Sequence, residues 1–350
     1  MTFAPRNGEV SYWWADVGAP RRRAPLPGSI SADVCIVGAG FTGLWTAYHL
    51  KRARPALEVV ILEREFAGYG ASGRNGGWLT DRFAAASAHI EAAHGHDAAL
   101  ALREAMTATV DEVVAICAEE RIEADIARTG VLQVARGSAQ AKRLHAEWAE
   151  EQRWLPATRD TVELDWDQTR ERVNVAGATL GLWNPNGVRI HPAKLARGLA
   201  EVVERHGVKI YEATTVEAIG PGCARTDRGT VSSPIVLNCL EGFMRTLRGQ
   251  RRVRLPLNSA MIVTAPLPAT VWDEVGWSGA ELVGDFAHAY IYAQRTADGR
   301  IALGGRGVPY RFGSRIDRRG RTQARTIGSL VAALRDHFPP TATVPIEPVG

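Results

Sequence analysis

The sequence predicts an α/β fold that contains a doubly wound parallel sheet, and three observations lead to this prediction. First, the apolar run Val34–Val37 is typical of a strand buried on both faces, and glycines follow it at positions 38, 40 and 43. Second, a helical pattern opens at these glycines and is followed by another apolar run over residues 57–62. Third, helix and strand patterns alternate again between residues 191 and 239.

The first glycine segment, residues 38–43, has the spacing of a turn that binds the phosphates of a dinucleotide. Gly38 permits the tight turn out of the strand, Gly40 lets a pyrophosphate approach the backbone, and Gly43 lets the helix pack close to the sheet. The next strand ends at Glu63, about 20 residues later, where an acidic side chain binds the ribose hydroxyls and disfavours a 2′-phosphate. The alternative is a glycine-rich corner with an unrelated glutamate.

A second glycine segment, residues 66–78, follows this strand directly. Its glycines at 70, 73, 76 and 77 exclude a stable helix, and Ser72, Arg74 and Asn75 supply polar groups. A stretch of this kind lets backbone N–H groups close on a ligand. A flexible linker is the alternative, but linkers lack the Arg-Asn pair and the aromatic residues that flank it.

Composition describes an ordinary globular chain of 350 residues, with 45% hydrophobic and 23% charged residues and a net charge of +4. The basic clusters are not interleaved with aromatic residues, so we expect no nucleic-acid partner. Four cysteines without a Cys-x-x-Cys pair suit a reducing compartment, and no apolar run reaches membrane-spanning length, so we expect a cytoplasmic protein without a membrane partner. His94 and His96 flank a predicted helix break and are more typical of a surface loop than of a metal site.

The remaining pattern predicts further elements in chain order. The prolines of residues 1–28 predict an extension without regular structure, which the aromatic run Tyr12-Trp13-Trp14 anchors by packing. Predicted helices cover residues 83–121 with a break near Gly95, residues 138–153, residues 192–207 and residues 321–338. Predicted strands cover residues 128–135, 208–211, 215–219, 231–239 and 259–264, with a hairpin of 289–294 and 300–303.

Three blocks of the chain together resemble the FAD-dependent oxidoreductases of the D-amino-acid oxidase superfamily, in the branch of gamma-glutamylputrescine oxidoreductase. The blocks are the Gly38-to-Glu63 unit, the run Gly70–Gly77, and residues 191–200. The resemblance implies a Rossmann-like FAD-binding domain with an inserted α+β substrate domain that contains an antiparallel or mixed sheet. We expect an extension over residues 1–28, an FAD-binding domain over 29–82 and 188–245, a substrate domain over 83–187 and 246–340, and a truncated tail over 341–350.

The resemblance also implies roles for matching residues. The pyrophosphate would lie against Gly38, Ala39, Gly40, Phe41, Thr42 and Gly43. Glu63 would hold the adenosine ribose, Arg64 would lie on the adenine side, and Val216 would meet the adenine through its backbone. The pyrophosphate, ribityl chain and flavin would run beside Ala71, Ser72, Arg74, Asn75, Gly76 and Gly77. Some relatives attach the flavin through a histidine of the second segment, but this chain has Arg74 there, so the resemblance implies non-covalent FAD.

The activity implied by the resemblance is oxidation of a carbon–nitrogen bond in a small amine or amino acid. A hydride passes to flavin N5, water hydrolyses the imine, and oxygen or another acceptor reoxidises the flavin. Tyr290 and Tyr292 would line the substrate pocket, or they are ordinary strand residues, and Arg306 carries the same two interpretations. No metal is expected.

Two alternatives stay open at this stage. A nicotinamide-dependent dehydrogenase would share only the first glycine segment. A fragment that binds a nucleotide without oxidising a substrate would follow from truncation, because relatives continue past the position of Gly350 with a segment that closes over the flavin.

Overall fold

A computed structural model describes residues 6–18, 20, 22–83, 87–154, 161–305, 310–316 and 319–349. In these ranges the α-helices are α1 (Tyr12–Val17), α2 (Phe41–Ala53), α3 (Ser87–His94), α4 (His96–Glu119), α5 (Ser138–Gln152), α6 (Trp166–Arg172), α7 (Pro192–Arg205), α8 (Ala269–Val275) and α9 (Ala324–His337). The strands are β1 (Arg6–Asn7), β2 (Ile30–Ser31), β3 (Val34–Val37), β4 (Val59–Leu62), β5 (Trp78–Leu79), β6 (Ala127–Arg128), β7 (Val131–Ala135), β8 (Val162–Leu164), β9 (Leu180–Asn184), β10 (Val188–Arg189), β11 (Lys209–Tyr211), β12 (Val216–Gly220), β13 (Cys223–Thr226), β14 (Gly229–Ser232), β15 (Ile235–Asn238), β16 (Ala260–Thr264), β17 (Leu282–Asp285), β18 (Ile291–Arg295), β19 (Ile301–Gly305) and β20 (Ile346–Val349).

A four-stranded parallel sheet lies under the two glycine segments, with the strand order β11-β4-β3-β15. Its central strands are apolar at every position, because both faces are covered. Side chains of α2 and α7, among them Leu44 and Leu199, pack on one face around Ile36. A second four-stranded sheet, β12-β13-β14-β2, covers the other face, where Val37 lies in one cluster with Val231.

A nine-stranded mixed sheet forms the other large layer, in the order β1-β20-β16-β19-β18-β17-β7-β9-β8. Its strands are antiparallel except for two parallel pairs, β1 with β20 and β17 with β7. Helix α9 packs on it, and the rings of Trp277 and Phe338 stack at 5.5 Å in the same core. A short sheet, β5-β10-β6, lies next to the second glycine segment. The predicted α/β class, with a parallel sheet and a separate mixed sheet, is confirmed.

Several element predictions need correction. Helix α1 lies within the N-terminal extension, because the prolines of that extension flank residues 12–17 rather than interrupt them. The predicted strand 231–239 is two strands, which Ser233 and Pro234 separate. The predicted strand 128–135 is broken at Gly130, whose φ of +73° leaves the extended region. Helices α6 and α8 were not predicted, since each has only seven residues.

The aromatic residues of α1 anchor the extension, as predicted. Tyr12, Trp13 and Trp14 are all buried, and Trp14 meets Phe66 edge to face with ring centroids 4.8 Å apart. The Ser11 hydroxyl caps the helix by accepting the Trp14 N–H. The N-terminal segment therefore packs directly against the start of the second glycine segment.

A buried ion pair fixes the rest of this extension to the parallel sheet. The Glu212 carboxylate, which is fully buried, accepts hydrogen bonds from the Arg23 guanidinium and from the backbone N–H groups of Arg23 and Ala67. The same guanidinium forms a bidentate ion pair with Glu204 on α7, with both N–O distances at 2.7 Å. One carboxylate thus joins the extension, the end of β11 and the second glycine segment.

Replacing Arg23 by methionine is expected to lower the free energy of unfolding by about 3 kcal/mol, because Glu212 would then be a buried charge without its cation. Urea denaturation of the purified protein measures this change. The matched control is Arg128→Met, which removes an exposed ion pair with Asp111 and is expected to cost less than about 1 kcal/mol. Equal losses in the two variants would contradict the role of the buried pair.

Candidate functional site

The first glycine segment forms the turn between the end of β3 and the start of α2. Gly38 has a φ of +108°, and a Cβ there would lie 2.7 Å from the carbonyl oxygen of Cys239. A Cβ on Gly43 would clash with the carbonyl oxygen of Gly38. The N-cap residue Gly40 has no side chain to cap α2, and among the described residues the N–H groups of Thr42 and Gly43 have no acceptor. The helix therefore presents free donors and the positive end of its dipole.

The second glycine segment meets the first at this helix end. The Ser72 hydroxyl accepts the backbone N–H of Phe41 at 2.8 Å. A Cβ on Gly40 would lie 2.9 Å from the same hydroxyl oxygen, so Gly40 makes room for Ser72. A backbone hydrogen bond of 2.9 Å from Gly68 to Ala39 adds a second contact. Two backbone surfaces that are remote in sequence are thus adjacent in the fold.

Glu63 lies beside this junction, at the end of β4. Its two carboxylate oxygens accept the backbone N–H groups of Ala39 and Glu65, at 3.0 and 2.9 Å. Burial raises the pKa of Glu63, and the hydrogen bonds from Glu65 and Ala39 oppose that rise. An acidic group that is already oriented by the first glycine segment lies where the sequence predicted a ribose ligand.

The other two residues predicted for the adenosine end lie around Glu63. The backbone of Glu63 pairs with Tyr211 and Thr214, and β12 begins two residues later at Val216, which is buried. The Arg64 guanidinium lies 5.7 Å from the ring centroid of Phe243. Glu63 and Arg64 therefore follow β4 directly, and Val216 begins the strand that comes after the backbone partners of Glu63.

The far end of the second segment lies against β18. A Cβ on Gly76 would be 2.7 Å from Cδ2 of Tyr292, and one on Gly77, whose φ is +66°, would clash with the Gln294 amide. That amide donates to the carbonyl oxygen of Gly76 at 2.6 Å and more weakly to that of Ile190 at 3.4 Å. The second segment therefore spans from α2 to the mixed sheet.

The two predicted pocket tyrosines differ in their surroundings. The Tyr292 hydroxyl and the Ser259 hydroxyl are 2.8 Å apart, and the Tyr292 ring meets Trp78 edge to face at 6.3 Å. Burial raises the pKa of Tyr292, so it is a neutral phenol. Tyr290 precedes β18 instead of lying within a strand, and 37% of it is exposed. Arg306 lies outside the described residues.

Arg74 folds back onto its own segment. Its Nε donates to the carbonyl oxygen of Tyr69 at 2.6 Å, and the guanidinium lies 4.5 Å from the Tyr69 ring centroid. Asn75 is similarly local, because its side chain donates to the Ser72 carbonyl and accepts the Gly77 N–H. These two polar side chains stabilise the shape of the segment.

Sequence reasoning missed two residues that bear on the site. Gln294 is buried and contacts Gly76, and its position two residues after Tyr292 on one strand was a usable signal, because side chains alternate between faces. The Trp13 indole donates to the carbonyl oxygen of Asn75 at 2.9 Å. Its sequence context indicated packing only, since nothing local marks the acceptor of a buried indole.

A cavity of about 490 Å³ begins at Trp78 and lies between the mixed sheet and helices α4 and α5. Gln133 and Leu182 line its sheet side, and Arg103 and Glu151 line its helix side. Because Trp78 contacts both Tyr292 and this cavity, the cavity lies next to the end of the second glycine segment.

Two further findings concern the described ranges only. No group of three or more His, Cys, Asp or Glu side chains is arranged there to hold a metal ion. None of the helices described is both long and apolar enough to cross a membrane.

Comparisons with known proteins give the family. Residues 33–349 match the family model described as DAO, FAD dependent oxidoreductase. The chain is 30% identical over 306 residues to gamma-glutamylputrescine oxidoreductase of Escherichia coli, which covers 86% of this chain and 70% of that protein. It is 28% identical to a protein of Haemophilus influenzae named probable oxidoreductase OrdL, over 87% of this chain and 72% of that protein.

Solved structures show the same fold at lower identity. L-proline dehydrogenase from P. horikoshii superposes with a TM-score of 0.73 at 18% identity, over 93% of this chain and 81% of that one. Glycine oxidase from Geobacillus kaustophilus gives a TM-score of 0.73 at 20% identity, over 91% and 81%. Because the family model matches residues 33–349 of this chain, the chain belongs to the DAO family of FAD-dependent oxidoreductases.

Proposed function

We propose that this chain holds one FAD between its two glycine segments and uses it to oxidise the carbon–nitrogen bond of a small amine or amino acid. The observation that carries the proposal is the junction of the segments, where Phe41 donates to Ser72 across the space that Gly40 leaves free. The first segment offers free backbone N–H groups at Thr42 and Gly43 and the second offers one at Gly76, so one extended dinucleotide could use both.

The residues present fit such a dinucleotide along its whole length. The pyrophosphate would lie on the free N–H groups at the start of α2, where the N-cap residue Gly40 carries no side chain. Glu63 would accept the ribose hydroxyls, since its oxygens are held by backbone donors at the edge of the same turn. The flavin end would lie against Gly76 and Gly77. No histidine stands at position 74, which favours non-covalent binding.

The protein groups near the flavin end suit binding and orientation more than proton transfer. Bound FAD supplies a two-electron acceptor for a hydride from the carbon that carries the amine. Tyr292 is held by Ser259 and has a raised pKa, so its hydroxyl orients a substrate without ionising. The amine would reach this tyrosine through the cavity beyond Trp78 and would react in its neutral form. Water would then hydrolyse the imine, and oxygen or another acceptor would reoxidise the flavin.

The proposed substrate class, small amines and amino acids, is supported by the names of related proteins. One curated relative is named for gamma-glutamylputrescine, and two solved relatives are named for L-proline and glycine. All three compounds carry an amine on a carbon with hydrogen, which is the group that hydride transfer requires. A nicotinamide-dependent dehydrogenase is not supported, since the chain belongs to an FAD-dependent family.

The test is to purify the protein, identify the nucleotide released on denaturation, and mix the reconstituted protein anaerobically with gamma-glutamylputrescine, glycine, sarcosine or L-proline. We expect FAD and bleaching of the flavin band by at least one of these amines. A yellow protein that no amine bleaches would support a nucleotide-binding chain without oxidase activity. A protein that takes up NADH and no FAD would contradict the proposal.

Replacing Glu63 by glutamine is expected to weaken FAD binding about tenfold or more, because a hydrogen bond to a charged acceptor contributes roughly 1.5–3 kcal/mol. Titration of the apoprotein with FAD, followed by flavin fluorescence, measures the change. Glu58→Gln is the matched control, since Glu58 is an exposed residue just before the same strand. If Glu63→Gln bound FAD as tightly as Glu58→Gln did, Glu63 would not hold the ribose.

Replacing Tyr292 by phenylalanine is expected to lower kcat/KM about fivefold to tenfold, through loss of one orienting hydrogen bond. The pH profile should keep its shape, because kcat/KM rises with pH as the substrate ammonium loses its proton, and burial raises the pKa of Tyr292 so that this rise does not come from the tyrosine. Steady-state rates between about pH 6 and pH 10 give both results. Loss of an ionisation from the profile in the variant would show that Tyr292 acts as a base.

A further inference from the structure

Three carbonyl oxygens of the second glycine segment are hydrogen-bonded by side chains from elsewhere in the chain. The Ser11 hydroxyl donates to Gly73 at 3.3 Å, the Trp13 indole to Asn75 at 2.9 Å, and the Gln294 amide to Gly76 at 2.6 Å. Two donors come from the N-terminal extension and one from β18 of the mixed sheet. The segment is therefore hydrogen-bonded by two parts of the protein that are remote from it in sequence, the N-terminal extension and β18.

These donors are buried, so water does not compete for the same carbonyls. Trp13 is 2% exposed and Gln294 is 1% exposed. Ser11 is also buried, although its contact is the longest of the three. A buried acceptor that lost its donor would stay unsatisfied, which makes each of these bonds costly to break.

Because the peptide bond is planar, holding a carbonyl group in place also fixes the direction of the N–H group in the same peptide. In a planar trans peptide the carbonyl and the following N–H point to opposite sides. Because Trp13 binds the carbonyl oxygen of Asn75, the N–H of Gly76 points away from α1. Among the described residues that N–H has no acceptor, whereas the N–H of Gly77 is bound by the Asn75 side chain. The Gly76 N–H is therefore a free donor with a fixed direction.

We propose that Trp13 and Gln294 are positioning residues for the flavin. Trp13 holds the Asn75 carbonyl so that the Gly76 N–H faces the cofactor, and Gln294 holds the Gly76 carbonyl and so fixes the peptide that follows. This inference rests on the proposed binding of FAD between the two glycine segments. It makes α1 a part of the cofactor site, although α1 precedes the whole nucleotide-binding unit in sequence and its aromatic residues predicted only packing.

Trp14 provides a matched control within the same helix. It is buried to 4% exposure and packs beside Gly68 and Gly73, but its indole N–H has no partner among the described residues. Replacing either tryptophan by phenylalanine removes a similar volume of buried ring. Only Trp13→Phe removes a hydrogen bond to the second glycine segment.

The experiment compares Trp13→Phe, Gln294→Met and Trp14→Phe in FAD titrations of the apoprotein and in the visible absorption and circular dichroism of bound flavin. We expect Trp13→Phe and Gln294→Met each to weaken FAD binding about tenfold and to shift the flavin bands. Trp14→Phe should stay within about twofold of the wild type, with an unchanged spectrum. A general loss of stability would affect both tryptophan variants and would not move the spectrum in only one.

The inference is overturned if Trp13→Phe and Gln294→Met match Trp14→Phe in affinity and spectrum. Should Trp13→Phe fail to fold, as judged by far-ultraviolet circular dichroism, the comparison of Gln294→Met with Trp14→Phe decides. A wild-type protein that binds no FAD would overturn the proposed function itself, which separates that failure from a failure of this inference.

Discussion

The hydrogen bond from the Phe41 backbone to the Ser72 hydroxyl is the interaction on which the rest of the site depends. It forms only because Gly40 has no side chain where Ser72 lies. Through it, a helix start that needs hydrogen-bond acceptors meets the second glycine segment. The two glycine segments then form one surface lined with backbone donors, which is the chemistry that an anionic dinucleotide requires.

The surrounding elements keep that surface in place. Glu212 ties the start of the second segment to Arg23 and the parallel sheet, Trp13 and Gln294 hold its far end, and Glu63 bonds to the first segment. Most of these contacts join parts of the chain that are far apart in sequence. The position of the site therefore depends on the assembly of both sheets and the N-terminal extension, and not on the glycine motifs alone.

Features that depend on local chemistry could be predicted from the sequence. The turn at Gly38 and the helix that begins after Gly40 follow from residues within a few positions of each other, and so does the acid at the end of β4. Partners across the fold could not be predicted in this way. The contact of Gln294 with Gly76 depends on the packing of a remote strand.

The errors in the element predictions have similar causes. The prolines around α1 led to the prediction of an extension without regular structure, although they lie outside the helix. This short helix is stabilised by burial of its aromatic face. One apolar pattern over residues 231–239 concealed a change of sheet at Pro234, because β14 and β15 pair with different partners. The roles of individual residues in holding FAD remain predictions, with the geometry described above in their support.

Hydrogen–deuterium exchange of the apoprotein with and without FAD is the most direct test of a shared binding surface. We expect FAD to protect the amides of Thr42 and Gly43 together with that of Gly76, because one molecule would contact both segments. Protection of the first segment alone, with unchanged exchange at Gly76, would contradict it.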